Sequence, residues 1–272
     1  MQIKDKKAIL VGTNNRLGVT FCRELLRNGA GIIVIMGNEE SNEASAVDEL
    51  NSEFGQKKVI FFPCDVSNND QYNGIFKEAV SLLGGLDILI NNVDLINEND
   101  IMKAIDVNVT AAIRGTLLGV QQMGKDLGGK GGIIVNVTSI IGLEPVAQFP
   151  VYSTAKQAII SFSRSFAQPY HYQRTGVKIV VLCPGLSGSY VKDDLNTLNN
   201  NSMSVEPGRV TIQLQKVEKV AHGLVYVIRC AQNGSIWVSE DNQPVYEIQP
   251  PDTLPQKQDG INHVSDLKNI GL

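Results

Sequence analysis

Along most of the chain, short apolar runs alternate with longer amphipathic stretches. The runs Ala8–Val11, Ile32–Met36, Val59–Pro63, Ile88–Ile90, Ile133–Val137, Lys178–Cys183 and Ile236–Val238 are mostly β-branched and apolar, with little alternation. That pattern predicts seven strands covered on both faces, not strands of a sheet with one face in water. Between them, helical spacing predicts helices over Leu17–Asn28, Ser41–Phe54, Asp70–Leu83, Asp100–Gln122, Tyr152–Tyr170 and Val217–Asn233. Gly29, Gly84, Gly85, Gly176 and Gly234 follow these stretches, where helix ends call for a left-handed residue.

Strand–helix alternation of this kind requires right-handed crossovers. The expected fold is α/β: a doubly wound, Rossmann-type parallel sheet of seven strands with helices on both faces. No repeat of solenoid period is present. Residues 186–215 break the rhythm. They are polar, Asn-rich at "NTLNNNS", and follow the sixth strand, where the C-terminal edge of such a sheet opens into a ligand crevice. We expect one dinucleotide-binding and catalytic domain over residues 1–248. Residues 249–272, with Pro250, Pro251 and Pro255, form a tail that is either a loose terminus or an arm on a partner subunit.

Composition narrows the function. The 272 residues are 43% hydrophobic and 19% charged, enough for a substantial core, and carry a formal net charge of −4. An acidic balance argues against nucleic acid as a partner. No run reaches membrane-spanning length, and "MQIKDKKAIL" leads into a strand without the core of a signal peptide. The expected location is cytoplasmic. Cys22, Cys64, Cys183 and Cys230 are widely separated and show no metal-ligand spacing, so we expect buried free thiols and no metal site. Asn108, Asn136, Asn200 and Asn233 begin Asn-x-Ser/Thr triplets, two of them in segments expected to be buried.

Candidate chemistry lies at the strand ends. "GTNNRLG" over 12–18 follows the first strand, with Gly12 and Gly18 framing a turn whose backbone N–H groups suit a pyrophosphate at a helix start. Asp65 in "CDVS" follows the third strand, where its carboxylate can accept from an adenine amino group. Asn91 and Asn92 follow the fourth. Each of these also suits a plain Asx turn. Ser139 follows the fifth strand, and Tyr152 and Lys156 stand four apart on the next helix, on one face. A neighbouring ammonium favours phenolate, which brings a phenol that titrates near ~10 into range as an acid–base group.

Taken in order, the glycine-framed loop, "NN", Asn108 in "DVNVT", Ser139, Tyr152-x-x-x-Lys156 and "PGLS" at 184–187 resemble the short-chain dehydrogenase/reductase family over about residues 5–240. "PVYSTAKQAIISF" and "NGSIWVSEDNQPVYEIQ" are similar to its insect alcohol dehydrogenase and 15-hydroxyprostaglandin dehydrogenase-like branch. The resemblance implies that Tyr152 exchanges the hydroxyl proton and also contacts the cofactor, Lys156 lowers the phenol's pKa and holds the nicotinamide ribose, and Ser139 orients the carbonyl or hydroxyl. Asn108 would sit in a helix bend and anchor a proton-relaying water. Gly12, Asn14, Arg16, Leu17 and Gly18 would form the pyrophosphate loop. Asp65 and Val66 would contact adenine, Asn91 the adenosine ribose side, and Pro184, Gly185 and Ser187 the nicotinamide. The implied cofactor is NAD, with NADP as alternative. The implied substrate is a small apolar secondary alcohol or ketone, and the implied assembly a homodimer or homotetramer.

Four positions depart from the family pattern, all on the cofactor side. Arg16 replaces a glycine and must point away, displace the cofactor or pair with a phosphate. Gly37 stands where NAD-selective relatives place an Asp. Val93 and Asp94 replace Ala-Gly after "NN"; the Asp94 charge either repels the pyrophosphate or pairs with Arg16 across the cleft. A second function class follows from this clustering: a weakly catalytic or inactive member that binds a ligand or serves in storage or regulation.

Overall fold

Each inner strand of the sheet sends successive apolar side chains to opposite faces, and both faces are covered. The computed structural model describes residues 1–12, 16–38, 43–185 and 215–250. In β1 (Lys7–Val11), Ala8 and Leu10 enter the core on one side and Ile9 and Val11 the core on the other. β2 (Ile32–Gly37), β4 (Ile88–Asn91) and β5 (Gly132–Val137) divide in the same way. With β3 (Val59–Pro63), β6 (Val177–Pro184), β7 (Ile236–Ser239) and β8 (Tyr246–Ile248) they form one sheet in the order β3-β2-β1-β4-β5-β6-β7-β8.

α1 (Arg16–Arg27), α2 (Glu43–Phe54) and α8 (Val217–Cys230) cover one face through Phe21, Leu25, Leu50 and Leu224. α3 (Asn69–Leu83), α5 (Ala111–Met123) and α6 (Pro150–Phe166) cover the other through Phe76, Val120 and Ile159. The doubly wound α/β fold expected from the sequence is present.

The differences from expectation have local causes. An eighth strand, β8, pairs antiparallel with β7; it has three residues, two of them exposed, so no apolar run announces it. The helix expected over Asp100–Gln122 is interrupted: α4 (Ile101–Ile105) passes into a π-helical turn at Asp106–Thr110 before α5. The helix expected over Tyr152–Tyr170 starts at Pro150, stops at Phe166, and is followed by α7 (Pro169–Thr175), because Pro169 fits only a helix start. Of the cysteines, all free, Cys22, Cys64 and Cys183 are buried as expected, but Cys230 is exposed at the end of α8. Trp237 lies in the core, and Asn108 and Asn136 are buried within their triplets.

The winding reverses between β1 and β4, and a crevice at the carboxyl ends of those strands is where such sheets take ligands. Gly12 closes its floor. Its φ is +86°, and a Cβ there would stand 2.7 Å from the Asn92 carbonyl oxygen and 2.9 Å from the Val93 Cα. The Asn92 side chain donates to the Gly12 carbonyl at 2.8 Å. Only glycine allows the two strand ends to come this close.

Candidate active site

The crevice continues into a cleft walled by Leu17, Val93, Asp94, Ser139, Tyr152, Lys156, Pro184, Gly185 and Val220. Six residues expected at the site from the sequence therefore share one wall. Asn14 and Ser187 lie outside the described residues, as do residues 186–214 and the tail from 251.

α6 carries Tyr152 and Lys156, the pair expected from sequence to act as acid and base. Its first two orphan N–H groups are those of Val151 and Tyr152, and both donate to one carboxylate, to Glu98 Oε2 and Oε1, each at 2.9 Å. A negative charge at a helix N-terminus stabilises both the cap and the dipole. Glu98 was not singled out in the sequence. It lies more than fifty residues before the helix it caps, so no local motif signals it. Lys156, one turn after Tyr152, is 2% exposed, with its ammonium 5.2 Å from the Tyr152 ring centre. Gly142 lets the short turn after Ser139 lie on the Lys156 backbone: a Cβ there would meet Lys156 atoms at 2.9 Å. Ser139 is buried, and its Oγ accepts from the Ile141 N–H at 3.3 Å.

The decisive contact is with Asp94. Its Oδ1 accepts from the Tyr152 hydroxyl at 2.8 Å and stands 2.7 Å from the Lys156 Nζ. Lys156 also donates to the Val93 carbonyl at 3.0 Å. The pairing with Arg16 considered from sequence is not the one formed. Asp94 makes no ion pair with Arg16; it pairs with Lys156 on α6. Arg16 is exposed and lies in a separate outer groove with Arg23, Arg27 and Glu49, away from the cleft that Leu17 lines.

Asn108 is buried in the π-helical turn, as the expected helix bend requires. Its Oδ1 accepts from the Leu95 N–H at 3.1 Å, and its Nδ2 donates to the carbonyls of Leu95 and Ala104 at 2.7 and 2.9 Å. The side chain thus clamps the chain one residue beyond Asp94.

Asn91 is turned away from the cleft. Its Nδ2 reaches Asn136 Oδ1 at 2.8 Å and Thr116 Oγ1 at 3.1 Å, and Asn136 continues to Ser163 on α6 at 2.8 Å. This buried polar ladder ties β4, β5, α5 and α6 together; the Asn91 amide nitrogen is committed to it, while its Oδ1 is buried without a partner among the described residues.

Asp65 is exposed at the far end of the crevice. Its Oδ1 accepts from the Ser67 N–H and hydroxyl at 2.9 and 2.6 Å, the Asx turn weighed from sequence. The Ser67 hydroxyl bond holds the carboxyl below its ordinary range. Val66 is half-buried against the core beside it. Cys183, beneath the cleft, has its thiol pushed up to about 12 by burial, against smaller opposing effects of Thr138 and Lys156. It is a neutral thiol at neutral pH, not a nucleophile.

Comparison with known proteins places the chain in a family. The model of the short chain dehydrogenase family matches residues 6–199. The chain belongs to the short-chain dehydrogenase family. It is 34% identical to rat (Rattus norvegicus) 15-hydroxyprostaglandin dehydrogenase (NAD(+)), over 87% of this chain and 91% of that one. It is 28% identical to alcohol dehydrogenase 1 of Ceratitis cosyra, over 88% and 93% of the two chains. A short chain dehydrogenase from Burkholderia cenocepacia J2315, solved in complex with NADP, superposes with a TM-score of 0.71 at 20% identity, covering 88% of this chain and 98% of that one. The fold and branch expected of this short-chain dehydrogenase are therefore those it has. Among the described residues no helix is long and apolar enough to cross a membrane, and no cluster of side chains could hold a metal ion.

Proposed function

We propose that this short-chain dehydrogenase is an NAD(P)-dependent oxidoreductase acting on an apolar secondary alcohol or ketone. The observation that carries the reading is that Ser139, Tyr152 and Lys156 line one cleft at the winding reversal of the sheet. The donor chemistry suits a dinucleotide. α1 begins just after β1, so its first N–H groups favour a pyrophosphate. Lys156 lines the cleft with three N–H donors, one of them fixed on the Val93 carbonyl, and a donor of this kind suits a ribose hydroxyl. Bound nicotinamide supplies the hydride acceptor or donor, and the protein supplies position and the proton path.

In that reading Ser139 holds the substrate oxygen, and Tyr152 takes or returns the hydroxyl proton. Lys156 keeps a positive charge beside the phenol, and Asn108 fixes the segment that faces them. Leu17, Val93, Val137 and Val220 give the cleft its apolar lining and exclude water from the reacting carbon. The names of the relatives favour NAD. Gly37, which carries no ribose-binding carboxylate and no charge against a 2′-phosphate, keeps NADP as the alternative. We further propose a cytoplasmic homodimer or homotetramer, which light scattering on the purified chain would test.

The experiment is turnover of a panel of secondary alcohols and ketones with both cofactors, followed by nicotinamide absorbance. Turnover with any member supports the reading. Its absence throughout, with no binding of NADH or NADPH, favours the second reading, a ligand-binding or storage role. The observation favouring that role is that Asp94 already occupies the hydroxyl of Tyr152 and one donor of Lys156.

A further inference from the structure

We propose that Asp94 is an internal competitor of the cofactor: its carboxylate holds Tyr152 and Lys156 in the empty cleft, and a dinucleotide binds by turning it out. The inference rests on the dinucleotide reading above and deepens it. One oxygen, Asp94 Oδ1, serves both the phenol at 2.8 Å and the ammonium at 2.7 Å, on a side chain only 12% exposed. An anion there takes the place of a neutral hydroxyl of a ligand.

The backbone on either side of Asp94 is fixed. The Asn92 N–H donates to the Val11 carbonyl at 2.7 Å, and its side chain donates to Gly12. Val93 is buried and accepts from Lys156, and Leu95 is held at both N–H and C=O by Asn108. Release therefore takes the form of rotation about the two side-chain torsions of Asp94, with the loop staying in place. Charge-assisted hydrogen bonds of this kind are strong, and breaking them opposes cofactor binding.

The test is titration of NADH and NADPH into the wild-type protein, Asp94→Gly and Asp94→Asn, followed by nicotinamide fluorescence. ADP, which lacks the nicotinamide ribose, serves as control by calorimetry. Asp94→Gly is expected to bind NADH about tenfold to a hundredfold more tightly than wild type, Asp94→Asn by a smaller factor, and ADP equally in all three. Removing Asp94 leaves Lys156 buried with the Val93 carbonyl, so thermal unfolding of each variant is recorded. If Asp94→Gly does not fold, Asp94→Asn decides. Dissociation constants for NADH within twofold of wild type overturn the proposal while leaving the dinucleotide reading intact. So does a parallel rise in ADP affinity, which would indicate a generally loosened cleft. No binding of NADH, NADPH or ADP by any variant overturns both.

Discussion

The two ends of the cleft are built differently. At the proposed catalytic end Tyr152 and Lys156 are held by bonds from other elements: Tyr152 by Glu98 and Asp94, Lys156 by Asp94 and the Val93 carbonyl, the segment facing them by Asn108. At the adenine end the structure is backbone and short turns: Gly12 against Asn92, Gly37 at the end of β2, and Asp65 closing its own turn onto Ser67. Departures from the family pattern therefore have unequal consequences. Arg16 is exposed at the surface and Gly37 lacks a side chain, so neither touches Tyr152 or Lys156. Asp94 is bonded into the acid–base pair, which changes what the pair is free to do.

The largest effect that would break this contrast is loss of the phenol. Tyr152→Phe is expected to lower kcat by about 10²–10⁴-fold, the usual worth of a general acid–base group. It also removes the hydroxyl that Asp94 accepts from, so NADH should bind at least as well as in wild type. Steady-state kinetics and fluorescence titration on the same preparation separate the two quantities. Retained turnover would show that the proton path does not run through Tyr152.

Next in size is the cap on α6. Glu98→Ala removes the acceptor of two N–H groups at the start of the helix and is expected to cost about 1–2 kcal/mol of stability. Because the second of these groups belongs to Tyr152, kcat should fall while KM changes little. Glu98→Gln, which keeps acceptor oxygen at the same reach, should recover part of both. Thermal unfolding and kinetics of the three proteins are the check; an unchanged melting temperature in Glu98→Ala would remove Glu98 from the account.

What could be read in the sequence follows the same division. The strands were legible because both faces of the sheet are covered, so each strand is an apolar run whose meaning does not depend on its neighbours. Ser139, Tyr152 and Lys156 were legible because strand end and helix face fix their relation within one segment. Asp94 was visible as an anomaly, but its partner was not: choosing between Arg16 and Lys156 requires knowing which strand end faces α6, information that only the packed sheet contains. Glu98 was invisible for the same reason. Asn91 looked like a cleft residue because it ends a strand, yet side chains alternate across a sheet, and its amide goes into the polar ladder with Thr116 and Asn136. β8 was missed because three residues, two of them facing water, carry no hydrophobic signal.

The smallest expected effect belongs to the adenine end, where one exposed turn carries the argument. The hydroxyl and N–H of Ser67 both stabilise the charged form of Asp65, so its carboxyl titrates below its ordinary value in the folded protein. A depressed folded pKa contributes stability that is present above the unfolded value and is lost as pH falls through the folded one. Ser67→Ala removes the hydroxyl and keeps the N–H. Its melting temperature should therefore lie slightly below wild type at neutral pH, and the gap should close as the pH is taken below 3.8. The catalytic end offers an internal control: the Glu98→Ala deficit comes from two helix N–H groups and should exceed the Ser67→Ala deficit at neutral pH. A Ser67→Ala deficit as large as that of Glu98→Ala would mean that the adenine end is as firmly determined by side chains as the catalytic end, and the contrast between the two would fail.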